Sequence, residues 1–175
     1  TAGPGIGYLI YASCVLGTIL FAASSFQQVG LLYTTASNAG FITGMYMVFV
    51  PIFGLMLGMA TGLVTWLGCI VAATGLFMLG VNDRYEIGYG DLLQLAGAGI
   101  WAAHILAIDH FTKYAPGVQL ACGQFVVCAA LGAIVSMVFA GETTTWPQVV
   151  AAVPTLIYAG TVSYTHLTLP TKVSV

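Results

Sequence analysis

Apolar residues run along this chain in long blocks, and the polar residues are confined to short gaps between them. The blocks cover residues 5–32, 37–58, 63–81, 91–111, 118–140 and 148–163. Each of the first five is about 19 to 28 residues long. At ~1.5 Å per residue, about 20 apolar residues cross the ~30 Å hydrocarbon layer of a bilayer as a helix. The sixth, at about 16, is short of that length. The runs are continuous and lack the in/out alternation of a membrane strand. The pattern therefore predicts an all-α polytopic membrane protein with about six transmembrane helices.

The gaps set the connections. Residues 58–62, GMATG, form so short a link that blocks two and three must be an antiparallel hairpin. Residues 82–90, NDRYEIGYG, are the most polar stretch, with Asp83, Arg84 and Glu86 inside it and Asp91 just after. Residues 112–117 hold Lys113 and Pro116, and residues 141–147 hold Glu142 and Trp146. Trp66, near the start of block three, is placed to anchor at an interface.

The second block carries the most local detail. Thr34, Thr35, Ser37 and Asn38 are all residue types that cap a helix start. Pro51 lies two thirds of the way along and predicts a kink, tolerable in a bundle because a neighbouring helix can satisfy the freed carbonyl. Gly40 and Gly44 are four apart, as are Gly54, Gly58 and Gly62. That spacing lets helix backbones approach. Packing is the plainer reading of these positions; the sharper one makes Pro51, Gly40 and Gly44 a moving gate.

Composition narrows the class. Hydrophobic residues make up 59% of the chain and charged ones 5%, with a mean hydropathy of +1.01. A soluble domain needs about 25% charged residues, so most of this surface must face lipid. Three basic residues cannot build a phosphate-binding patch, which excludes a nucleic-acid partner. Cys14, Cys69, Cys122 and Cys128 all lie in apolar runs, form no C-x-x-C pair and read as small buried side chains rather than metal ligands. One arginine and one lysine fall in gaps on opposite faces, so charge gives no orientation. The chain opens at Thr1 with no signal-peptide pattern and reads as one entered partway through.

Candidate chemistry concentrates in the fourth block. Gln94, Trp101 and His104 follow at steps of seven and three, which places them toward one helix face with Ile105 and Ile108. His104 is the ionisable residue deep within a block, and such a residue is costly in a membrane and points to function. The plainer alternative is a histidine hydrogen-bonded between helices. Gln27 and Gln28 in the first block need partners or a wet cavity. Gln119 and Gln124 open the fifth block, Gln124 being the deeper. Gln28, Asn38 and Tyr46 are first-half counterparts, each alone more simply a helix–helix contact. Asp109 and Lys113 form an i,i+4 pair expected at the surface. Gly97-Ala-Gly99-Ile-Trp-Ala102 matches G-x-G-x-x-A, but it sits inside an apolar helix without the preceding strand that a dinucleotide site requires. No nucleophile–base pair, P-loop or metal cluster is visible, so neither catalytic residues nor a cofactor or metal is expected.

The string FQQVGLLYTTASNAGFITGMYMVFVPIFG, residues 26–54, resembles the centre of the first repeat of the EamA-type drug/metabolite transporters. GDLLQLAGAGIWAAHILAIDHFTKY, residues 90–114, resembles the opening helix of the second repeat, with its early tryptophan at Trp101. QLACGQFVVCAALGAIVSMVF, residues 119–139, resembles the helix after it. The resemblance covers roughly 5–163. It departs at GMATG, where the family usually carries a cluster of acids and bases. SYTHLTLPT, within the last residues, resembles a translated sequencing adapter, and residues 164–175 are set aside as a non-native tail.

The resemblance implies helices three to eight of a ten-helix carrier built from two five-helix repeats. Residues 1–81 would end the first repeat, 82–90 would be a polar loop and 91–163 would begin the second repeat. Substrate would bind at mid-membrane between the halves. The implied function is secondary transport, outward, of a small metabolite, amino acid or drug by alternating access. The implied place is the cell (inner or plasma) membrane, with the Lys113 gap on the cytoplasmic side. Expected partners are a small-molecule substrate and the lipid bilayer, with proton coupling and a homodimer left open. The expected cavity residues are Gln28, Asn38, Tyr46, Trp101, His104 and Gln124. Two alternatives stand beside this: a membrane-embedded enzyme acting on a lipid-like substrate through Asp83, Glu86 and Asp91, or a non-catalytic membrane subunit.

Overall fold

A computed structural model of the chain describes residues 5–80, 88–139, 147, 150–155 and 157–158. Among the described residues the main helices follow in order: α1 (Ile6–Leu31), α2 (Ala36–Gly44), α3 (Tyr46–Met56), α4 (Leu63–Gly80), α5 (Tyr89–Thr112) and α6 (Gly117–Phe139). The first five predicted blocks are thus helical to within a few residues of their expected ends, α2 and α3 together making the second. Of the predicted sixth, residues 150–155 are helical and much of the remainder lies outside the described residues. So do Asp83, Arg84, Glu86, Glu142, Trp146 and the tail at 164–175.

The chain divides into two units, 1–134 and 135–175, and the bundle described here is the first. α5 is its central element. α1 packs against it in the opposite direction: Tyr8 and Tyr11 meet Phe111 near one end, with ring centroids 6.1 and 6.0 Å apart. At the other end Gly30 faces Gly90. α2 and α3 run alongside α5 in its own direction, with Thr43 level with Gln94. α4 returns against α2 and α3, where Phe41 meets Phe77 at 6.2 Å. α6 lies against α1, where Gly17 meets Val127 and Gly123 meets Ser13.

The packing is inverted relative to a water-soluble domain. Small residues such as Ala12, Ala23, Ala98 and Ala102 form much of the interior, and the largest fully buried side chains are Leu16 and Gln94. Large apolar side chains point out: on α4, Leu67, Ile70 and Val71 are 54, 62 and 72% exposed. Water would oppose so large an apolar surface, and lipid does not. Among the described residues four helical segments, Ile6–Leu31, Ala36–Met56, Tyr89–Thr112 and Gly117–Val138, are long and apolar enough to cross a membrane. α4 is apolar but shorter. The protein is an all-α multi-pass membrane protein.

The second block is not one straight helix. It breaks at Met45, whose N–H bonds back only three residues to Ile42 O at 3.1 Å. Pro51 lies within α3 rather than at the break. Proline has no N–H to bond the carbonyl four residues before it, so Met47 O is left over. Cys69 of α4 donates its thiol to that oxygen at 3.4 Å. A neighbouring helix therefore satisfies the carbonyl, and a cysteine expected only to fill space does so. Gly54, Gly58 and Gly62 do not form a packing seam. Gly58 has φ +77° and ends α3, with Met59 N bonded to Gly54 O and Gly58 N to Leu55 O, both at 2.9 Å. That bond pair is a Schellman stop, which glycine favours because the left-handed backbone is open to it. Gly62 has open space around it.

Candidate functional site

α5 presents polar side chains to different neighbours at three levels. At its start, Asp91 is buried; its Oδ2 accepts from Gly88 N–H at 2.9 Å, and its Oδ1 accepts from the Thr34 hydroxyl just before α2. A carboxylate in the first turn of a helix satisfies the free amides there. Asp91 thus ties the α1–α2 turn to α5, and one of the three acids named for the enzyme alternative is engaged in that role, the other two lying outside the described residues.

One turn deeper, Gln94 is 1% exposed. Its Nε2 donates to Gln27 O on α1 at 2.9 Å, and its Oε1 accepts from Thr43 Oγ1 on α2 at 3.1 Å. A buried amide is tolerated in hydrocarbon when both of its ends are bonded, as here.

The deepest level holds His104, Gln124 and Trp101. His104 and Gln124 are buried, 4% and 8% exposed. His104 Nε2 lies 3.0 Å from Gln124 Oε1 on α6. With the amide oxygen facing the ring, Nε2 carries the proton and donates. Trp101 packs edge-on to the His104 ring, centroids 5.8 Å apart. Its Nε1 is buried and bonds to no protein atom. These three side chains are the part of the predicted set that the structure brings together.

Gln28, Asn38 and Tyr46 lie elsewhere. Gln28 is on an exposed face of α1, and it is the backbone carbonyl of its neighbour Gln27 that turns inward. Asn38 is half-buried in the first turn of α2, where its N–H donates to Thr35 Oγ1 at 3.2 Å. Tyr46 is half-buried at the start of α3. Of the two glycines assigned to a gate, Gly44 is pressed against Leu76 of α4, and Gly40 has open space. Gln119 is exposed, and Lys113 Nζ meets Asp109 Oδ2 at 2.7 Å with both side chains half exposed.

Gln94 does not share a face with His104. Ten residues at about 100° each leave them roughly 80° apart around α5, so one meets α1 and α2 while the other meets α6. Thr34 and Thr43 complete the upper levels; in the sequence the first is a capping residue type and the second lies within an apolar run. Their one visible signal is a hydroxyl within reach of a helix that also holds a buried acid or amide. A separate apolar cavity of about 510 Å³ lies between α3 and α5, lined by Phe53, Met56, Leu57, Leu106, His110 and Phe111 among others. Among the described residues no group of His, Cys, Asp or Glu is arranged to hold a metal ion.

A multi-pass membrane bundle with a buried polar pair in its interior is the class that this geometry defines. Within that class the chain is similar to a protein of Archaeoglobus fulgidus called "Uncharacterized transporter", 31% identical over 145 residues. The match covers 74% of this chain and 43% of that protein, so the chain spans less than half the length of its relative. No family model and no solved structure matches.

Proposed function

We propose that this chain is part of a secondary transporter that moves a small metabolite, amino acid or drug outward across the cell membrane by alternating access. The carrying observation is the His104–Gln124 hydrogen bond, with Trp101 beside it, between two apolar helices of a chain similar to a transporter. Ionisable and amide side chains are costly at that depth, and in membrane proteins they mark solute or ion paths. The pair joins α5 to α6, and exchange of that bond for one to a solute couples binding to movement of the two helices. No covalent step is needed. The ten-helix, two-repeat architecture belongs to the same proposal.

The test is made in the full-length protein. His104→Ala is expected to lower vectorial movement of solute by about tenfold, the equivalent of ~1.4 kcal/mol at the transition state, with membrane abundance close to wild type. Solutes inside and outside expressing cells are compared with an empty-vector control by untargeted mass spectrometry. Full activity in the variant would remove His104 from the path, and wild-type transport that does not change between pH 6 and 8 would argue against proton coupling. A chemically altered product without net movement would favour the enzyme reading.

A further inference from the structure

The unpaired Trp101 indole narrows what the path accepts. An indole nitrogen donates and cannot accept. A donor withdrawn from water and left without a partner is unfavourable, and native interiors rarely keep one. Here Nε1 is buried without a protein acceptor, on a ring packed against the histidine whose Nε2 donates to Gln124 Oε1.

Charge adds a second constraint. An anion at this depth needs a compensating cation. Among the described residues the one lysine or arginine is Lys113, half exposed at the end of α5 and already paired with Asp109. A cation would need a free carboxylate, and the buried one, Asp91, is held by Thr34 and Gly88 at the far level of α5.

Resting on the transporter reading, we infer that the solute is an uncharged molecule whose carbonyl or hydroxyl oxygen accepts a hydrogen bond from Trp101 Nε1 beside the His104–Gln124 pair. The aromatic faces of Trp101 and His104, set edge to face, provide an apolar wall for the rest of it.

The test uses the full-length protein with 3-benzothienylalanine incorporated at position 101, which keeps the indole shape and replaces N–H by sulfur. Trp101→Phe serves as a second variant, and membrane abundance is measured for both. The solutes that wild type moves, identified by untargeted mass spectrometry, are expected to be uncharged carbonyl or hydroxyl compounds. Their movement is expected to fall about fivefold to tenfold when the N–H is removed, as for loss of one hydrogen bond. Wild-type movement of anions, or unchanged movement in the same-shaped variant, overturns the inference and leaves the transporter reading standing. If wild type moves nothing beyond the empty-vector control, the transporter reading fails and this inference falls with it.

Discussion

Gly90→Ala is expected to remove most of the folded protein. A Cβ at Gly90 would lie 2.6 Å from the Tyr33 carbonyl carbon and 2.8 Å from Gly30 O. Both are backbone atoms, so no rotamer change relieves the clash. α1 and the turn after it would have to move away from α5. The bonds on either side, Thr34 to Asp91 and Gln94 to Gln27, depend on that approach. Overpacking of a close contact costs about 1–3 kcal/mol, and the two dependent bonds place this change at the upper end. Gly99→Ala is the control, because nothing lies within 4 Å of a Cβ there. The measurement is the fraction of monodisperse protein left after heating in detergent. Equal survival of the two variants would contradict the seam described for α1 and α5.

Gln94→Ala is expected to cost about 2 kcal/mol. Interhelical hydrogen bonds in membranes average about 0.6 kcal/mol each, and Gln94 makes two. The rest is the cavity left by a side chain that is 1% exposed. Gln94→Leu fills most of that volume and separates the two causes: a loss of about 1 kcal/mol is expected from the bonds alone. Reversible unfolding in mixed micelles reads both values. If alanine and leucine are equally mild, Gln94 does not join α1, α2 and α5.

Length and hydropathy carried most of the fold. Block boundaries, the tight hairpin at 58–62 and the surface pairing of Asp109 with Lys113 were all legible, because each depends on local sequence or on the cost of burying charge. Rotation was harder to read. Seven- and three-residue steps suggested one face for Gln94, Trp101 and His104, yet the accumulated angle sends Gln94 and His104 to different helices. Glycine spacing misled in one place. Gly54, Gly58 and Gly62 match a packing repeat, but Gly58 takes a left-handed backbone and stops the helix. The close seam instead joins Gly30 of α1 to Gly90 of α5, a pairing between helices far apart in sequence. Cys69 was equally hidden, since its acceptor exists only because Pro51 frees Met47 O in another helix.

For the site, the sequence found the deep residues by chemistry: an imidazole and an amide inside apolar blocks. It could not say which amide would meet His104. Gln28 and Gln124 both stand in the expected cavity set, and the structure places one outside and the other against the ring.

The central claim is that the His104–Gln124 level lies on a solute path rather than in a sealed packing contact. The direct measurement is thiol accessibility at that level. Gln124→Cys is introduced into the full-length protein after Cys14, Cys69, Cys122 and Cys128 are replaced by serine. Sealed vesicles are then treated with a membrane-impermeant maleimide from one side or the other. Alternating access predicts labelling from both sides, each blocked when the protein is locked facing away. A folded protein that is labelled from neither side would make the level a static helix–helix contact and contradict the account.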